Sequence, residues 1–575
     1  MEETLFRFQS NQRQSRRDYG WPNVVSFKRM RQRSVYQSHD HDGVEIQQMK
    51  HTSQRSDCQR DVVTFLSDPS SYGSDVDRVD VIDTHISKVF LAGDYAYKLK
   101  RAVKLPYLDF SNEAMRRAAC AAEVSLNRRT APELYLEARA LSVTESGRIA
   151  WGDEGRVVDW VVVMRRFAQD CLLDSMAAKD MLSADLLRDV IDHIAWFHAR
   201  AEVLAHRGGS EAFGRIEKTN VECLKQSAGN IFRTEDIDDL HRRSLQHLAR
   251  VAELLDARRA AGKVRRCHGD LHLRNICLFN GNPVLFDCIE FSDELAVIDV
   301  LYDIAFLLMD RAHRGLQDLA NQAFNRYLDL TTEDDGLAAL PLFMSLRAAV
   351  RAHVTATAAK AVGPGDFDKR ICEGRSYLDF ARRVLEPQPV RLIAIGGMSG
   401  AGKSTLAQAL APAMGMLPGA RVLRSDVIRK RCRGVMPEHR LPADAYTSQV
   451  SERVYTALRD RARVALEAGY SVIIDAVSLR EDERTAFAGV AANANVPFCG
   501  IWLDAPAATM GSRLAARRND ASDAGPEVLR QQLEVGPGRV DWTRVDVGDD
   551  FDSSLAAVRE ALASARHGTN PRKPA

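Results

Sequence analysis

The run GMSGAGKS at Gly397–Ser404 constrains the fold of this chain more than any other feature. It matches the pattern G-x-x-x-x-G-K-[ST], in which glycines let backbone N–H groups turn toward phosphate oxygens. The apolar run LIAIGG precedes it and a helix is predicted after it, so a chance glycine-rich turn is disfavoured. Lys403 can reach the β- and γ-phosphates as a catalytic group, and the Ser404 hydroxyl can ligate Mg²⁺. The predicted nucleotide-binding residues of this loop are Gly397, Gly400, Gly402, Lys403, Ser404 and Thr405.

Two carboxylates follow later strands of the same region. Asp475 ends the apolar run Val472–Ile474, where a carboxylate linked to Mg²⁺ is expected, although capping of the next segment is an alternative. Asp426 follows a strand predicted over residues 421–423. It is either the group that accepts the proton of an acceptor hydroxyl or the N-cap of a helix from Val427. The residues themselves favour neither interpretation of Asp426.

Arginines recur at roughly helical spacing further along the chain. Arg513, Arg517 and Arg518 precede two aspartates, Asp520 and Asp523. A mobile lid is one interpretation, because guanidinium groups stabilise a migrating phosphoryl group. On that basis Arg513 and Arg517 are predicted to bind the nucleotide. A solvated helix face would explain the same spacing.

Strands alternate with helices from residue 391 onward, which predicts an α/β domain with a doubly wound parallel sheet. The region of about 390–566 resembles the small P-loop kinases of the AAA_33 type, relatives of gluconate kinase, zeta toxin and the polynucleotide 5′-kinase domain. The resemblance rests on GGMSGAGKST, LRSDVIRK, VIIDA and RLAARRND. It implies phosphoryl transfer rather than mechanical ATPase work, and it favours the acceptor-site interpretation of Asp426.

A second phosphotransfer pattern lies at residues 267–275, CHGDLHLRN. Asp270 and Asn275 have the spacing of a kinase catalytic loop, in which the aspartate accepts the hydroxyl proton and the asparagine holds Mg²⁺. Asp287 ends the next apolar run and can ligate the same metal, while His268 can buttress the loop. An inactive relic of such a site is disfavoured, because a dead site has no need of the base and both ligands together.

Zinc binding is a rival interpretation of this region, since histidines and cysteines cluster there. Their spacings fit no common structural zinc site. The residues concerned are Cys267, His268, His272, Cys277 and Cys288.

The catalytic-loop residues resemble the aminoglycoside phosphotransferase/choline kinase superfamily, whose signature is HGDxxxxN followed by an aspartate on the next strand. The longer run HGDLHLRN…LFDCIEF…DVLYDIAFLLMD resembles the branch that is fused to a P-loop ATPase. This resemblance implies an α+β protein-kinase-like domain in which Asp270 is the base. It also implies that Asn275 and Asp287 are metal ligands and that Asp303 begins a structural helix.

The same resemblance implies a strand lysine for the α- and β-phosphates and a helical glutamate that holds it. Tyr97–Lys100 offers two candidates, of which Lys98 is preferred and Lys100 is second. Glu123 is the expected partner. The alternative for each is an exposed charge on an edge strand or a helix.

The length of 575 residues exceeds one ordinary core, and the two motifs divide it. We predict a disordered extension over residues 1–60, a phosphotransferase domain over 61–386, a proline-containing linker over 387–390, a P-loop kinase domain over 391–566 and a tail over 567–575. The 79 Lys and Arg nearly balance the 78 Asp and Glu, which argues against a dedicated nucleic-acid-binding protein. No apolar run approaches the roughly 20 residues of a membrane span, and ten sparse cysteines suit a reducing cytoplasm.

Together these patterns predict an ATP- and Mg²⁺-dependent phosphotransferase with two ATP-binding domains, acting on hydroxyl groups of small molecules. Two alternatives stay open. One domain could be a nucleotide-sensing regulator with no acceptor of its own. The P-loop domain could instead phosphorylate nucleic-acid 5′ ends, although the balanced charge weakens that idea.

Overall fold

A computed structural model describes residues 59–84, 86–105, 108–227, 229, 231–359, 364–517, 520–548 and 550–564. The predicted N-terminal extension and C-terminal tail lie almost entirely outside the described residues, as does Arg518. The chain forms two compact units. The first comprises Leu136–Arg166 and the chain up to Ala121; the second comprises Ala122–Tyr135 and the chain from Phe167 onward.

The first unit is built on a sheet whose strand order is β1-β2-β3-β8-β6-β7. Gly93, at a positive φ of 55°, lies in the tight turn that joins β2 and β3 into an antiparallel hairpin. A helical segment over residues 59–67 supplies Val62 and Leu66 to the core beneath the sheet. The strands are β1 Val79–Asp83, β2 Ser87–Ala92, β3 Tyr95–Lys100, β4 Lys104–Leu105, β5 Leu108–Asp109, β6 Tyr135–Val143, β7 Ile149–Trp151 and β8 Arg156–Arg165.

Lys98 lies on an interior strand, opposite Val89 on one side and Val162 on the other. Its exposed fraction is 8%, and that of Lys100 is 0%. The interpretation of these lysines as exposed charges on an edge strand is therefore wrong. Two buried ammonium groups in one strand are unusual, because burial of a charge needs compensating partners.

The second unit begins with helices and two small strand pairs. Ser183 caps α3 through a hydrogen bond from the Leu186 N–H, and Val190 and Ile194 of that helix are buried, as its 3.6-residue period predicts. Strand β10 pairs antiparallel with β11, and β9 with β12. The elements are α1 Glu113–Asn127, which starts in the first unit, α2 Leu173–Ala178, α3 Ala184–Arg200, α4 Gly209–Lys225, α5 Thr234–Ala260, β9 Val264–Arg266, β10 Ile276–Phe279, β11 Asn282–Leu285, α6 Asp293–Ala296, β12 Val297–Asp299, α7 Val300–His313, α8 Gln317–Thr331, α9 Leu340–Ala359 and α10 Pro364–Arg383.

One segment of the described residues, Glu333–Ala359, has the length and hydropathy that a membrane-crossing helix would need. It contains α9, and 72% of its most apolar window is buried inside the protein. Helices that are apolar all round are typical of the centre of a large core. The packing of α9 against α7 and α10 fits that role.

The remainder of the second unit is an α/β sandwich around a five-stranded sheet of order β14-β15-β13-β16-β17, in which every pair is parallel. The sheet and helices of residues 59–383, followed by this parallel sheet, confirm the predicted fold class; the short strand β17 was not predicted. The elements are β13 Leu392–Gly397, α11 Lys403–Leu410, β14 Arg421–Arg424, α12 Ser425–Cys432, α13 Ser448–Glu467, β15 Val472–Asp475, α14 Glu481–Asn493, β16 Phe498–Asp504, α15 Ala507–Ala516, α16 Pro526–Val535, β17 Thr543–Asp546 and α17 Phe551–Ser564.

The α/β region shares a hydrophobic core with the helices before it. A buried charged network joins the two parts. Arg421, at the start of β14, is fully buried and lies 2.8 Å from both Asp329 and Asp334. Asn325 of α8 accepts the Val422 N–H at 2.7 Å. Breaking such a buried pair is costly, so this network fixes β14 against α8.

Candidate active sites

The loop between β9 and β10 places the predicted base and its neighbours together. The Asn275 side-chain amide donates to the Asp270 carbonyl and carboxylate, at 2.9 Å each. The His272 Nε2 lies 3.4 Å from the same carboxylate, whose side chain is 38% exposed. Asp270 is therefore oriented from one side and open to solvent on another, as a base that must meet a substrate hydroxyl requires.

Helix α7 holds the backbone of this loop through a buried carboxylate. The two oxygens of Asp303 accept the N–H groups of His268 at 3.0 Å and of Gly269 at 2.9 Å. Arg347 of α9 donates to the Gly269 carbonyl at 2.9 Å, so the same peptide segment is held on both its donor and acceptor sides. Gly269 has a φ of 84°, and a Cβ there would lie 2.9 Å from the Leu295 carbonyl. This position accordingly needs glycine.

A second carboxylate of α7, Asp310, accepts the Leu273 N–H at 3.2 Å. Because Asp303 and Asp310 are seven residues apart, both lie on one face of the helix. Asp303 was predicted to begin this helix, but the capping residue is Asp299, whose side chain accepts the Leu301 N–H. The prediction for Asp303 was therefore incomplete, since its main contacts are with the loop.

Asp287, the predicted metal ligand, follows β11 in a left-handed backbone conformation with φ of 60°. Its N–H donates to the Tyr135 hydroxyl at 3.0 Å. A non-glycine residue at positive φ is costly and is found where surrounding contacts impose it. Glu123, the predicted partner of the strand lysine, is fully buried in α1.

The charges around the loop favour an ionised Asp270. Burial opposes ionisation, but the neighbouring His272 and Arg351 outweigh it and lower the pKa of Asp270 below its usual range. Burial also lowers the pKa of His268. Asp303 behaves like Asp270: burial raises its pKa, but the hydrogen bond from His198 and nearby positive charges bring it to about 2.

Among the described residues, one trio meets the geometric requirement for a metal site. His198, Cys267 and Asp303 are buried and offer one ligand atom each within 4.8 Å of one another. Their polar atoms are already engaged: His198 contacts Asp303 and the Tyr327 hydroxyl, and the Cys267 thiol lies 3.5 Å from the Ile298 carbonyl. We therefore interpret this trio as a structural cluster that supports the catalytic loop, and not as a metal site.

The phosphate loop has the backbone that its glycines predict. Gly397, Gly400 and Gly402 all have positive φ, at 137°, 85° and 95°. A Cβ on Gly400 would lie 2.6 Å from the Met510 carbonyl. Helix α11 starts at Lys403, so its positive N-terminal end faces the loop. Lys403 donates to the Gly397 and Met398 carbonyls at 2.9 and 3.0 Å.

Parallel pairing brings the predicted metal ligands together. Strand β15 lies beside β13, with Asp475 opposite Ile395. The Ser404 hydroxyl donates to the Asp475 carboxylate at 2.5 Å. Asp475 does not cap the next helix, because α14 starts six residues later with Arg480 as its N-cap. A serine hydroxyl and a carboxylate at this separation suit Mg²⁺, which prefers oxygen ligands.

Asp426 lies inside the first turn of α12, where Arg424 is the N-cap residue, so the capping interpretation of Asp426 is wrong. Burial raises the pKa of Asp426, and the charge of Asp475 raises it further against the opposing effects of Ser522, Arg424 and Lys403. A carboxylate with a raised pKa is better matched to proton transfer near neutral pH.

A largely apolar cavity of about 240 Å³ lies beside the phosphate loop. Arg513 lines it and donates to the Gly548 carbonyl at 2.7 Å. Arg517 lies 3.4 Å from Asp520 instead. The cavity walls are Gly402, Thr405, Leu406, Leu503, Arg513, Val547, Gly548, Phe551 and Ser554. Apolar walls with one guanidinium suit the flat face of a nucleobase.

Two family models match this chain. A model described as "Phosphotransferase enzyme family" matches residues 148–340, and one described as "AAA domain" matches residues 392–536. The first match contains the catalytic loop, and the second contains the phosphate loop. The chain thus has two kinase-like domains.

Mycobacterial relatives match most of this chain. "Uncharacterized protein Rv2004c" of Mycobacterium tuberculosis H37Rv is 30% identical over 490 residues, which is 83% of this chain and 92% of that protein. "Uncharacterized protein Mb2027c" of Mycobacterium bovis gives the same values.

Solved structures are similar to separate parts of the chain. A choline/ethanolamine kinase family protein from Mesorhizobium loti is 15% identical and covers 57% of this chain and 99% of its own, with a TM-score of 0.33. A gluconokinase from Sinorhizobium meliloti 1021 is 24% identical and covers 32% of this chain and 94% of its own, with a TM-score of 0.22.

Proposed function

The chain belongs to the family of these mycobacterial relatives and itself joins a phosphotransferase domain to an AAA-type P-loop domain, and we propose that it is an ATP-dependent phosphotransferase active at both sites. Each site would transfer the γ-phosphoryl group of ATP to a hydroxyl group of a small molecule. We place this activity in the cytoplasm. The observation that carries the proposal is that each site has a carboxylate, Asp270 or Asp426, close to side chains of the kinds that ligate Mg²⁺.

At the kinase-like site, Asp270 would accept the proton of the acceptor hydroxyl as the new O–P bond forms and ADP leaves. Asn275 keeps this carboxylate in place, and its amide oxygen is the atom available to a metal ion. Asp287 would supply a second ligand, so the residues present fit Mg²⁺. Lys98, with Glu123 as its partner, would contact the α- and β-phosphates.

At the P-loop site, Lys403 and the backbone N–H groups of the loop would hold the β- and γ-phosphates. Ser404 and Asp475 fit Mg²⁺, because their oxygens already lie 2.5 Å apart. When bound, Mg²⁺ would neutralise charge on the β- and γ-phosphates. Asp426 would accept the hydroxyl proton, and Arg513 would support the base of the nucleotide in the apolar cavity.

The test is ATP-dependent phosphorylation of an acceptor panel by four proteins: the parent, Asp270→Asn, Lys403→Met and the double variant. The panel contains amino alcohols, sugars, sugar acids and nucleic-acid 5′-hydroxyl ends. We expect each single variant to lose a different product, by a factor of about 10² or more, and the double variant to lose both. Asp335→Asn is the matched control, because its side chain is 62% exposed. A double variant that phosphorylates as well as the parent would refute the proposal.

A second candidate function is nucleotide sensing by one of the two domains. The buried Arg421–Asp334 pair favours it, because it links β14 of the P-loop domain to the kinase-like helices. In that case the single variant of the sensing domain would still form every phosphorylated product that the parent forms. It would change the ATP concentration at which the other domain works, without changing which acceptor is used.

A further inference from the structure

Arg424 ends β14 and contacts both residues of the P-loop site that fit a metal ion. Its Nη2 donates to the Ser404 hydroxyl at 3.1 Å, and its Nε lies 3.3 Å from the Asp475 carboxylate. These are the same oxygens that would ligate Mg²⁺. We propose that Arg424 is a positioning residue that holds the cation position between Ser404 and Asp475 and gives it up when the Mg²⁺–nucleotide complex binds. This inference rests on the proposed function of the P-loop domain.

Electrostatic repulsion prevents the Arg424 guanidinium and a Mg²⁺ ion from contacting Ser404 and Asp475 at the same time. The Arg424 side chain is only 16% exposed and that of Asp475 only 6%, so solvent screens the site poorly. A divalent ion ligated by Ser404 and Asp475 would lie within a few ångströms of the guanidinium. Like charges at that distance repel strongly where the effective dielectric constant is low. Arg424 therefore competes with the metal rather than assisting its binding.

The contact between Arg424 and Asp475 is weak enough to be broken when a ligand binds. Although the Arg424 Nε lies close to this carboxylate, it is not aligned for a hydrogen bond, and it has no other hydrogen-bond partner among the described residues. The guanidinium has a separate anchor, since Nη2 donates to Asp520 at 2.7 Å. Asp520 would keep Arg424 paired after it leaves the metal ligands. Release thus costs one loose ion pair and one hydrogen bond, without leaving a buried charge alone.

The neighbouring cation is held in the same manner. Lys403 donates to two carbonyl groups of its own loop, Gly397 and Met398. These two positive groups thus contact protein oxygens. On ligand binding, Lys403 would exchange its carbonyl contacts for phosphate contacts, whereas Arg424 would leave Ser404 and Asp475 and keep its contact with Asp520. Of the two, Arg424 is the one with a described contact to the proposed metal ligands, so its removal should tighten metal binding.

The experiment measures Mn²⁺ binding by electron paramagnetic resonance at saturating ADP, together with thermal unfolding with and without Mg²⁺ and ADP. The proteins are the parent, Arg424→Met, Arg424→Lys, Asp520→Asn and Lys403→Met. Arg463→Met is the control, because it removes an arginine that is 54% exposed on the same domain. The kinase-like site is identical in all of them, so differences from the parent report the P-loop site.

We expect Arg424→Met to bind Mn²⁺ about tenfold more tightly than the parent, the effect of losing one competing charged hydrogen bond. The Mn²⁺ affinity of Arg424→Lys should lie between those of the parent and Arg424→Met. Asp520→Asn should bind Mn²⁺ more weakly, because an untethered Arg424 stays on Asp475. Arg424→Met should also unfold at a lower temperature than the parent without ligand and recover most of that loss with Mg²⁺ and ADP.

Two results would overturn the inference. Weaker Mn²⁺ binding by Arg424→Met would show that Arg424 contacts the bound nucleotide instead. An equal loss of stability with and without ligand, at parental Mn²⁺ affinity, would show a purely structural role. Lys403→Met separates this failure from that of the proposed function: if it binds nucleotide and Mn²⁺ as the parent does, the P-loop domain is not a nucleotide site at all.

Discussion

The loop around Asp270 and the loop around Lys403 differ in what holds their charged groups. Around Asp270, the buried carboxylates of Asp303 and Asp310 accept main-chain N–H groups of the loop. Around Lys403, the lysine donates to carbonyl oxygens of its own loop, and Arg424 contacts the Ser404 hydroxyl that a metal ion would also use. The first loop is anchored through its backbone, and the second through the groups that perform its function.

This difference has consequences for ligand binding. A loop that is anchored through its backbone keeps its side chains in place whether or not a substrate is bound, which is how preorganised sites avoid reorganisation during the reaction. A loop whose cations rest on its own oxygens loses those contacts when a ligand binds, and this loss reduces the observed affinity. We therefore expect substitutions of the supporting residues to act on rate at the first site and on affinity at the second.

The largest effect is expected from Asp303→Asn. This change preserves the size of the side chain but replaces one of the two oxygens that accept loop N–H groups with an NH₂ donor. The variant should lower phosphorylation at the Asp270 site by about 10²-fold, because loop geometry is lost. Its free energy of unfolding should fall by about 3–5 kcal/mol, since His198 and Arg347 lose their buried partner. Initial rates and chemical denaturation measure both quantities.

Asp335→Asn is the control for this variant, because Asp335 is exposed and contacts Arg258 at 3.2 Å without touching the loop. It should change stability by less than about 1 kcal/mol. An Asp303→Asn protein that keeps the parental rate at the Asp270 site would show that helix α7 does not support this loop.

The phosphate loop and the catalytic loop could be predicted because each motif is local. The glycines within Gly397–Ser404 determine the backbone conformation of that loop, and Asp270 contacts Asn275 within a single loop. Asp303 and Arg347 could not be assigned this way. They are 34 and 78 residues from the Gly269 groups that they contact, and no spacing rule connects such positions.

Sheet topology explains the other omissions. Arg424 lies within the run LRSDVIRK, but only the adjacent parallel strands β14, β15 and β13 bring it to Ser404 and Asp475. Strand β17, Thr543–Asp546, is at the edge of the sheet and buries only one residue, so it lacks the apolar run of an interior strand. The apolar cavity beside Arg513 combines residues from four separate segments of the chain.

A smaller effect is expected from Gly400→Ala, which tests whether the phosphate loop tolerates any change of backbone. Its φ of 85° disfavours alanine, and the new Cβ would meet the Met510 carbonyl at 2.6 Å. ATP affinity at the P-loop site should fall by about tenfold or more, measured by calorimetry in the Lys98→Met background, which removes the proposed phosphate contact of the kinase-like site. Gly489→Ala is the matched control, because a Cβ there meets open space. Equal affinities for the two variants would contradict the strained-loop description.

The smallest effect is a difference in pH dependence between the two sites. A carboxylate base works only when ionised, so each activity should decline as the pH falls through the pKa of its base. Burial raises the pKa of Asp426, whereas the charges around Asp270 outweigh burial and lower its pKa. The P-loop activity, measured in Asp270→Asn, should therefore be lost at a higher pH than the kinase-like activity, measured in Lys403→Met. Profiles in the reverse order would mean that Asp426 is not the base, and the comparison would then hold only for the contacts that support each loop.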